Sequence, residues 1–151
     1  MNKVLDADSI RIAAEEFDAA IEARDKERTL ACFASDCEVH VLDATVKGHA
    51  GAARWFDWMF LHVSALRFEP VVVMVDGDTY FEEFICHGKL KKNGRHVESK
   101  QSEVLIYDAD YKIKILRLYF DRLDFAESVT QNLIEKNVVK LVKDKSLKGL
   151  V

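Results

Sequence analysis

The chain has 151 residues, nearly half apolar and about a third charged, which is the profile of one soluble domain able to bury about two-thirds of its unfolded surface. A formal net charge of -4 argues against a general nucleic-acid binder, which needs a basic footprint. Cys32, Cys37 and Cys86 are odd in number and lack C-x-x-C spacing, so neither a disulfide framework nor a zinc knuckle is expected, and a reducing cytoplasm is the natural setting.

The first residues, MNKVLDADSI, carry acids early and no apolar run, so no signal peptide is expected. No apolar stretch reaches the roughly 18 residues that a membrane span needs. Asp8 or Ser9 can cap a first helix, whose apolar positions Ile10, Ala13, Phe17, Ala20 and Ile21 recur at helical spacing. Asp25 caps a shorter second helix carrying Leu30 and Phe33. Glu38–Asp43 alternates like a strand, and Gly48 marks the turn after it. The run HAGAARWFDWMFLHV is then helical, with Trp55, Phe56, Met59 and Phe60 on a broad apolar face.

Beyond this helix the period changes. Phe68–Val75, Thr79–Leu90, His96–Tyr107 and Lys112–Phe120 read as strands separated by Asp76-Gly77-Asp78, Asn93-Gly94 and Asp108-Ala109-Asp110. Asn-Gly is a strong hairpin signal, because both central residues of a type I′ turn need positive φ. Connections this short force antiparallel pairing, since a parallel crossover takes a dozen residues or more. Helices followed by an antiparallel meander make an α+β domain. Glu127–Leu147 reads as a terminal amphipathic helix with Ile134, Val138, Leu141 and Val142 on one stripe among lysines. It is expected to pack on the sheet or on a second subunit.

The segments FDAAIEARDKERTLACFASDCEVH and KGHAGAARWF, with the meander ending IYDADYKIKILRLYFD, cover roughly residues 9 to 125. In that order and spacing they resemble the nuclear-transport-factor-2-like superfamily, in its branch of SnoaL-like polyketide cyclases and ketosteroid isomerases. The resemblance implies a cone: a curved antiparallel sheet wraps the N-terminal helices and leaves an apolar pocket open at one end. Residues 1–125 would form this domain and 126–151 a C-terminal helical extension of it. It does not imply one function, because the fold carries isomerases, cyclases, hydrolases, dehydratases and noncatalytic modules.

The active sites of the resembling enzymes are incomplete here. The isomerase tyrosine falls at Phe17 and the isomerase base at Val41, and only the late-strand acid survives, as Glu103. The cyclase acid that follows the last-strand arginine, here Arg117, falls at Leu118, and the cyclase histidine falls at Val104. The Arg-x-Asp pair of limonene epoxide hydrolases aligns with Glu83 and Ile85.

The register implied by the resemblance turns Val39, Val41, Phe81, Glu83, Ile85, Glu103, Leu105, Leu118 and Phe120 inward, with Phe17, Trp55, Phe56 and Met59 added from the helices. Residues two apart on a strand share a face, so His87 joins Glu83 and Ile85 at the pocket mouth, and His62 can approach it from the aromatic helix. Glu103 and Glu83 are the candidate acid/base residues, because burial would raise their pKa toward neutrality. No H-x-x-x-H or H-E-x-x-H pair occurs, so no metal site and no cofactor are expected.

Two main readings stand open, beside a weaker third, a protein-interaction module suggested by the lysine-lined terminal helix. One is a small-molecule-binding domain for an apolar ligand; the other is a lyase, isomerase or hydrolase on an apolar substrate. Phe84, Cys86, Ile106 and Tyr119 are expected on the outer sheet face, where the resembling proteins form homodimers. Asp121 shares parity with Arg117 and Tyr119, away from the pocket, and is expected to hold backbone N–H groups or an arginine.

Overall fold

A computed structural model describes residues 5–130 and 132–150. Helix α1 (Ala7–Glu22) starts at Asp6, whose carboxylate accepts from the Ser9 backbone N–H at 2.9 Å and the Ser9 hydroxyl at 2.8 Å. The cap therefore lies two residues before the expected Asp8, and Ser9 is its donor. Asp25 caps α2 (Lys26–Ala31) as expected, accepting from Arg28 N at 3.0 Å. The next strand, β1 (Phe33–Val41), begins earlier than its alternating segment and pairs with β2 (Ala44–Lys47). Gly48, at φ +65°, opens α3 (Gly48–His62). Gly51 lets that helix approach β2, since a Cβ there would sit 3.0 Å from Val46.

Strands β3 (Val63–Asp76), β4 (Thr79–Leu90), β5 (His96–Tyr107) and β6 (Ile113–Phe120) form an antiparallel meander. Strand β3 follows α3 directly, five residues before the expected start. The Arg24 guanidinium braces this junction by donating to the carbonyls of Phe60 and Val63. The β3–β4 turn puts its positive φ on Gly77. The Asn93-Gly94 connection is wider than a two-residue turn: residues 91–95 lie between the strands, and Gly94, at φ +69°, donates to Leu90 O.

The six strands run in the order β2-β1-β6-β5-β4-β3, with β1 parallel to β6. This curved, unclosed sheet embraces α1 and α3 over a core of Ile10, Phe17, Phe33, Phe56, Leu105, Ile113 and Leu116. Phe17, Phe33 and Phe56 meet edge to face there, at centroid distances of 5.3–6.4 Å. Among the described residues, no helix is long and apolar enough to cross a membrane.

The terminal segment divides into α4 (Arg122–Val129) and α5 (Leu133–Ser146). Asn132 restarts the helix by accepting from Glu135 N at 2.7 Å. Helix α5 packs on α4, where Lys143 pairs with Asp124 and Glu127. Its apolar stripe of Leu133, Ile134, Val138, Leu141 and Val142 is exposed, so it does not pack on the sheet.

Asp121 is the N-cap of α4, accepting from Leu123 N at 2.8 Å and Asp124 N at 3.2 Å, while Arg122 pairs with Asp43. Asp121→Ala should cost about 1 kcal/mol, read as a lower urea midpoint, and Asp121→Asn should retain most of that stability. An unchanged midpoint for the alanine variant would contradict the capping role.

Candidate functional site

Between α1, α3 and the concave sheet lies a cavity of about 130 Å³, which meets a second one of about 320 Å³ nearer the surface. Trp58, His62, Val63, Leu66, Cys86, Gln101 and Phe125 line both, so the two form one path inward. The inner wall is formed by Phe17, Ile21, Val41, Trp55, Met59, Phe68, Phe84, Leu118 and Phe120. Two acids interrupt it: Asp18 and Glu103.

Behind them is a third carboxyl. Glu82 on β4 and Glu103 on β5 are direct partners across the ladder, so their side chains leave the sheet on the same face. Asp18 descends on them from α1, next to Phe17. Oxygen atoms from all three carboxyls lie within 4.8 Å of one another. Glu82 is 1% exposed and Glu103 5%. Glu82 Oε1 is buried and has no hydrogen-bond partner.

Carboxyls this close in apolar surroundings cannot all carry charge without a cation. Burial, then the charges of Glu82, Glu22 and Glu15, push Asp18 up to about 8. Burial raises Glu103 well above the usual carboxylate range, and Asp18 and Glu82 add to it. Glu82 is also raised by burial, while a hydrogen bond from the Tyr80 hydroxyl pulls the other way. Cys86, on the same wall, is pushed up to about 12 by burial and by Asp18 and Glu22, which makes it a packing thiol and a poor nucleophile. The arrangement can retain a proton near neutrality, donate it to an oxygen acceptor, or surrender it to a cation.

Glu103, Phe17, Val41, Trp55, Met59, Leu118 and Phe120 line this cavity. Phe56 and Leu105 face inward but are consumed by the core, and Val39 is buried beside a separate depression against β2. Strand β4 is turned over relative to the expectation. Tyr80, Glu82 and Phe84 are buried, while Glu83 is exposed and lies with Phe81 on the outer face. Glu83 is therefore not an acid/base candidate, and neither Phe81 nor Ile85 lines the cavity. His87 also leaves the mouth, pairing with Glu69 at 2.9 Å and Glu98 at 3.1 Å. Conversely, Phe84 and Cys86 move from the expected outer face to the cavity wall, while Tyr119 stays outside and exposed.

A one-residue slip reverses every side chain on a strand, and YFEEFIC gave no contrast to prevent it. Glu82 and Glu83 are adjacent, and large apolar residues occupy both parities. Asp18 was missed for another reason. A helix can present i, i+1 and i+4 to one cavity, as Phe17, Asp18 and Ile21 do, and its one available signal was an acid embedded in an apolar stripe.

A curved, unclosed six-strand sheet that embraces helices α1 and α3 has the nuclear-transport-factor-2-like fold. The SnoaL-like domain profile matches residues 14–114, and the chain belongs to that family. No curated protein matches its sequence. Solved structures with the same fold include an NTF2-like protein of unknown function from Burkholderia pseudomallei K96243. It is 18% identical with a TM-score of 0.73, and the match covers 81% of this chain and 98% of that one. SalBIII, an epoxide hydrolase/cyclase-like enzyme with a role in pyran ring formation in polyether salinomycin, is 16% identical. Its TM-score is 0.71, with coverage of 79% and 95%. TerC, co-crystallised with polyporic acid, is 20% identical with a TM-score of 0.70 and coverage of 79% and 96%.

Proposed function

We propose that this SnoaL-like domain binds a small, largely apolar molecule between α1, α3 and the sheet, with the Asp18–Glu82–Glu103 cluster as the polar end of its site. The observation that carries this reading is the pairing of an apolar cavity with carboxyls that open onto it. Phe17, Val41 and Leu118 line that cavity, so the positions where related enzymes keep a tyrosine, a base and an acid contribute apolar surface here.

Acid–base catalysis is the second reading, favoured by Asp18 being pushed up to about 8 on the cavity wall. A protonated Asp18 or Glu103 would donate to a carbonyl, ether or epoxide oxygen while a deprotonated neighbour accepts a proton. A second copy of the chain would cover the outer sheet face, where Val72, Met74 and Tyr119 are exposed.

Trp55 and Trp58, the two tryptophans of the chain, both line the cavity and report on it. Titration with 2-phenylethanol, a small neutral apolar probe, should give a saturable change in their fluorescence. Leu118→Phe, which fills the wall, should weaken that binding about tenfold or more. An unsaturable response, or equal binding by the filled variant, would refute the cavity reading.

A further inference from the structure

The carboxyl cluster has no cationic counterpart in the inner cavity: among the described residues lining it there is no lysine or arginine, and Lys92 lines only the outer cavity. Exposed acids elsewhere on the surface find one, as Glu16 does with Arg28, Asp36 with Lys114 and Asp43 with Arg122. The cluster faces a space walled by aromatic rings, and the buried Glu82 Oε1 behind it receives no donor. A neutral apolar occupant would leave that oxygen unpaired and the cluster uncompensated.

Building on the reading that the cavity takes a ligand, we propose that its ligand is an organic amine. The ammonium group is seated against Asp18 and Glu103, within the field of Glu82, and the apolar remainder lies on Phe17, Trp55 and Phe120. Each ammonium N–H supplies a charged donor where the Tyr80 hydroxyl reaches only Glu82, and the aromatic faces attract the same charge. A bare divalent ion satisfies the carboxylates but gains nothing from aromatic walls, and it keeps water that this apolar cavity is poorly suited to hold.

Seating a cation favours the deprotonated carboxyls, so binding releases protons and amine affinity rises with pH. The groups facing Asp18 are Glu15 and Glu22 from its own helix, Tyr80, Glu82 and Cys86 from β4, and Glu103 and Tyr107 from β5. His62 from α3 lines the same cavity. Protonation of His62 would also repel a cation, so a His62→Gln control assigns the pH dependence.

The test compares 2-phenylethylamine, 2-phenylethanol and 3-phenylpropanoate by calorimetry at pH 6 and pH 8.5, in buffers of different ionisation enthalpy. The amine is expected to bind about tenfold tighter at the higher pH and to release protons, also in His62→Gln, while the alcohol is nearly insensitive and the carboxylate weakest. Asp18→Asn and Glu103→Gln should each lower amine affinity about tenfold more than they lower alcohol affinity. Alcohol binding as tight as amine binding overturns the amine assignment alone. Absence of binding by every probe overturns the cavity reading with it. Tight binding of Mg²⁺ without preference for the amine overturns the assignment in favour of a metal site.

Discussion

Between about pH 5 and pH 9 the melting temperature of this protein is expected to fall, by roughly 10 °C or more. The sign follows from the buried cluster. Asp18 is raised to about 8, and Glu82 and Glu103 are raised with it, chiefly by burial. A carboxyl whose folded pKa lies above its unfolded value contributes stability that is fully present below the unfolded pKa. That stability is lost as pH rises through the folded value. For Asp18 alone, a window of about three to four pH units at 1.36 kcal/mol each corresponds to about 4–5 kcal/mol. The exposed acids run the other way. Glu16, Asp36 and Asp43 are held low by Arg28, Lys114 and Arg122, so their stabilisation is present above the ordinary carboxylate range and disappears only on acidification. The decline above pH 5 therefore belongs to the cluster. Asp18→Asn should flatten it, and a flat or rising profile in the unmodified chain would contradict the burial and coupling described here.

Glu103→Gln should make the protein more stable at pH 8 while damaging the site, with a gain on the order of 1–4 kcal/mol in urea unfolding. The argument turns on shape as well as charge. Glutamine keeps the length of Glu103, removes one of three converging charges, and presents an amide N–H₂ that Asp18 and Glu82 can accept from. Glu103→Ala would instead remove a side chain that is 5% exposed and leave a void, so it is expected to destabilise. Gain of stability with loss of ligand binding is the signature of a group retained for function at a cost to folding. Equal losses of stability in both variants would show that Glu103 is structural support.

The strand meander was legible in the sequence because its punctuation is local. Thr79–Leu90 and His96–Tyr107 have the expected bounds, and Gly77 and Gly94 adopt the positive φ that their turns require. Resemblance and topology together also put Glu103, Leu118 and Phe120 on the concave face. The face of β4 was not legible. Parity depends on contrast between the two sides of a strand, and Tyr80, Phe84 and Cys86 compete there with Phe81 and Ile85. The cluster was missed as a consequence, since it needs Glu82 opposite Glu103 and Asp18 above both. The interruption between α4 and α5 was hidden for a different reason. The apolar spacing of 127–147 continues across it, and the restart depends on the Asn132 cap, a single-residue signal inside a strongly periodic segment.

The most direct test of the account is a side-chain carboxyl carbon NMR titration of the protein labelled at aspartate and glutamate. At least one resonance, assigned by its loss in Asp18→Asn or Glu103→Gln, should titrate only above about pH 7, and its midpoint should drop when 2-phenylethylamine is added. Completion of every carboxyl titration below about pH 5.5 would show that the three acids are solvated and separate, and would contradict the site.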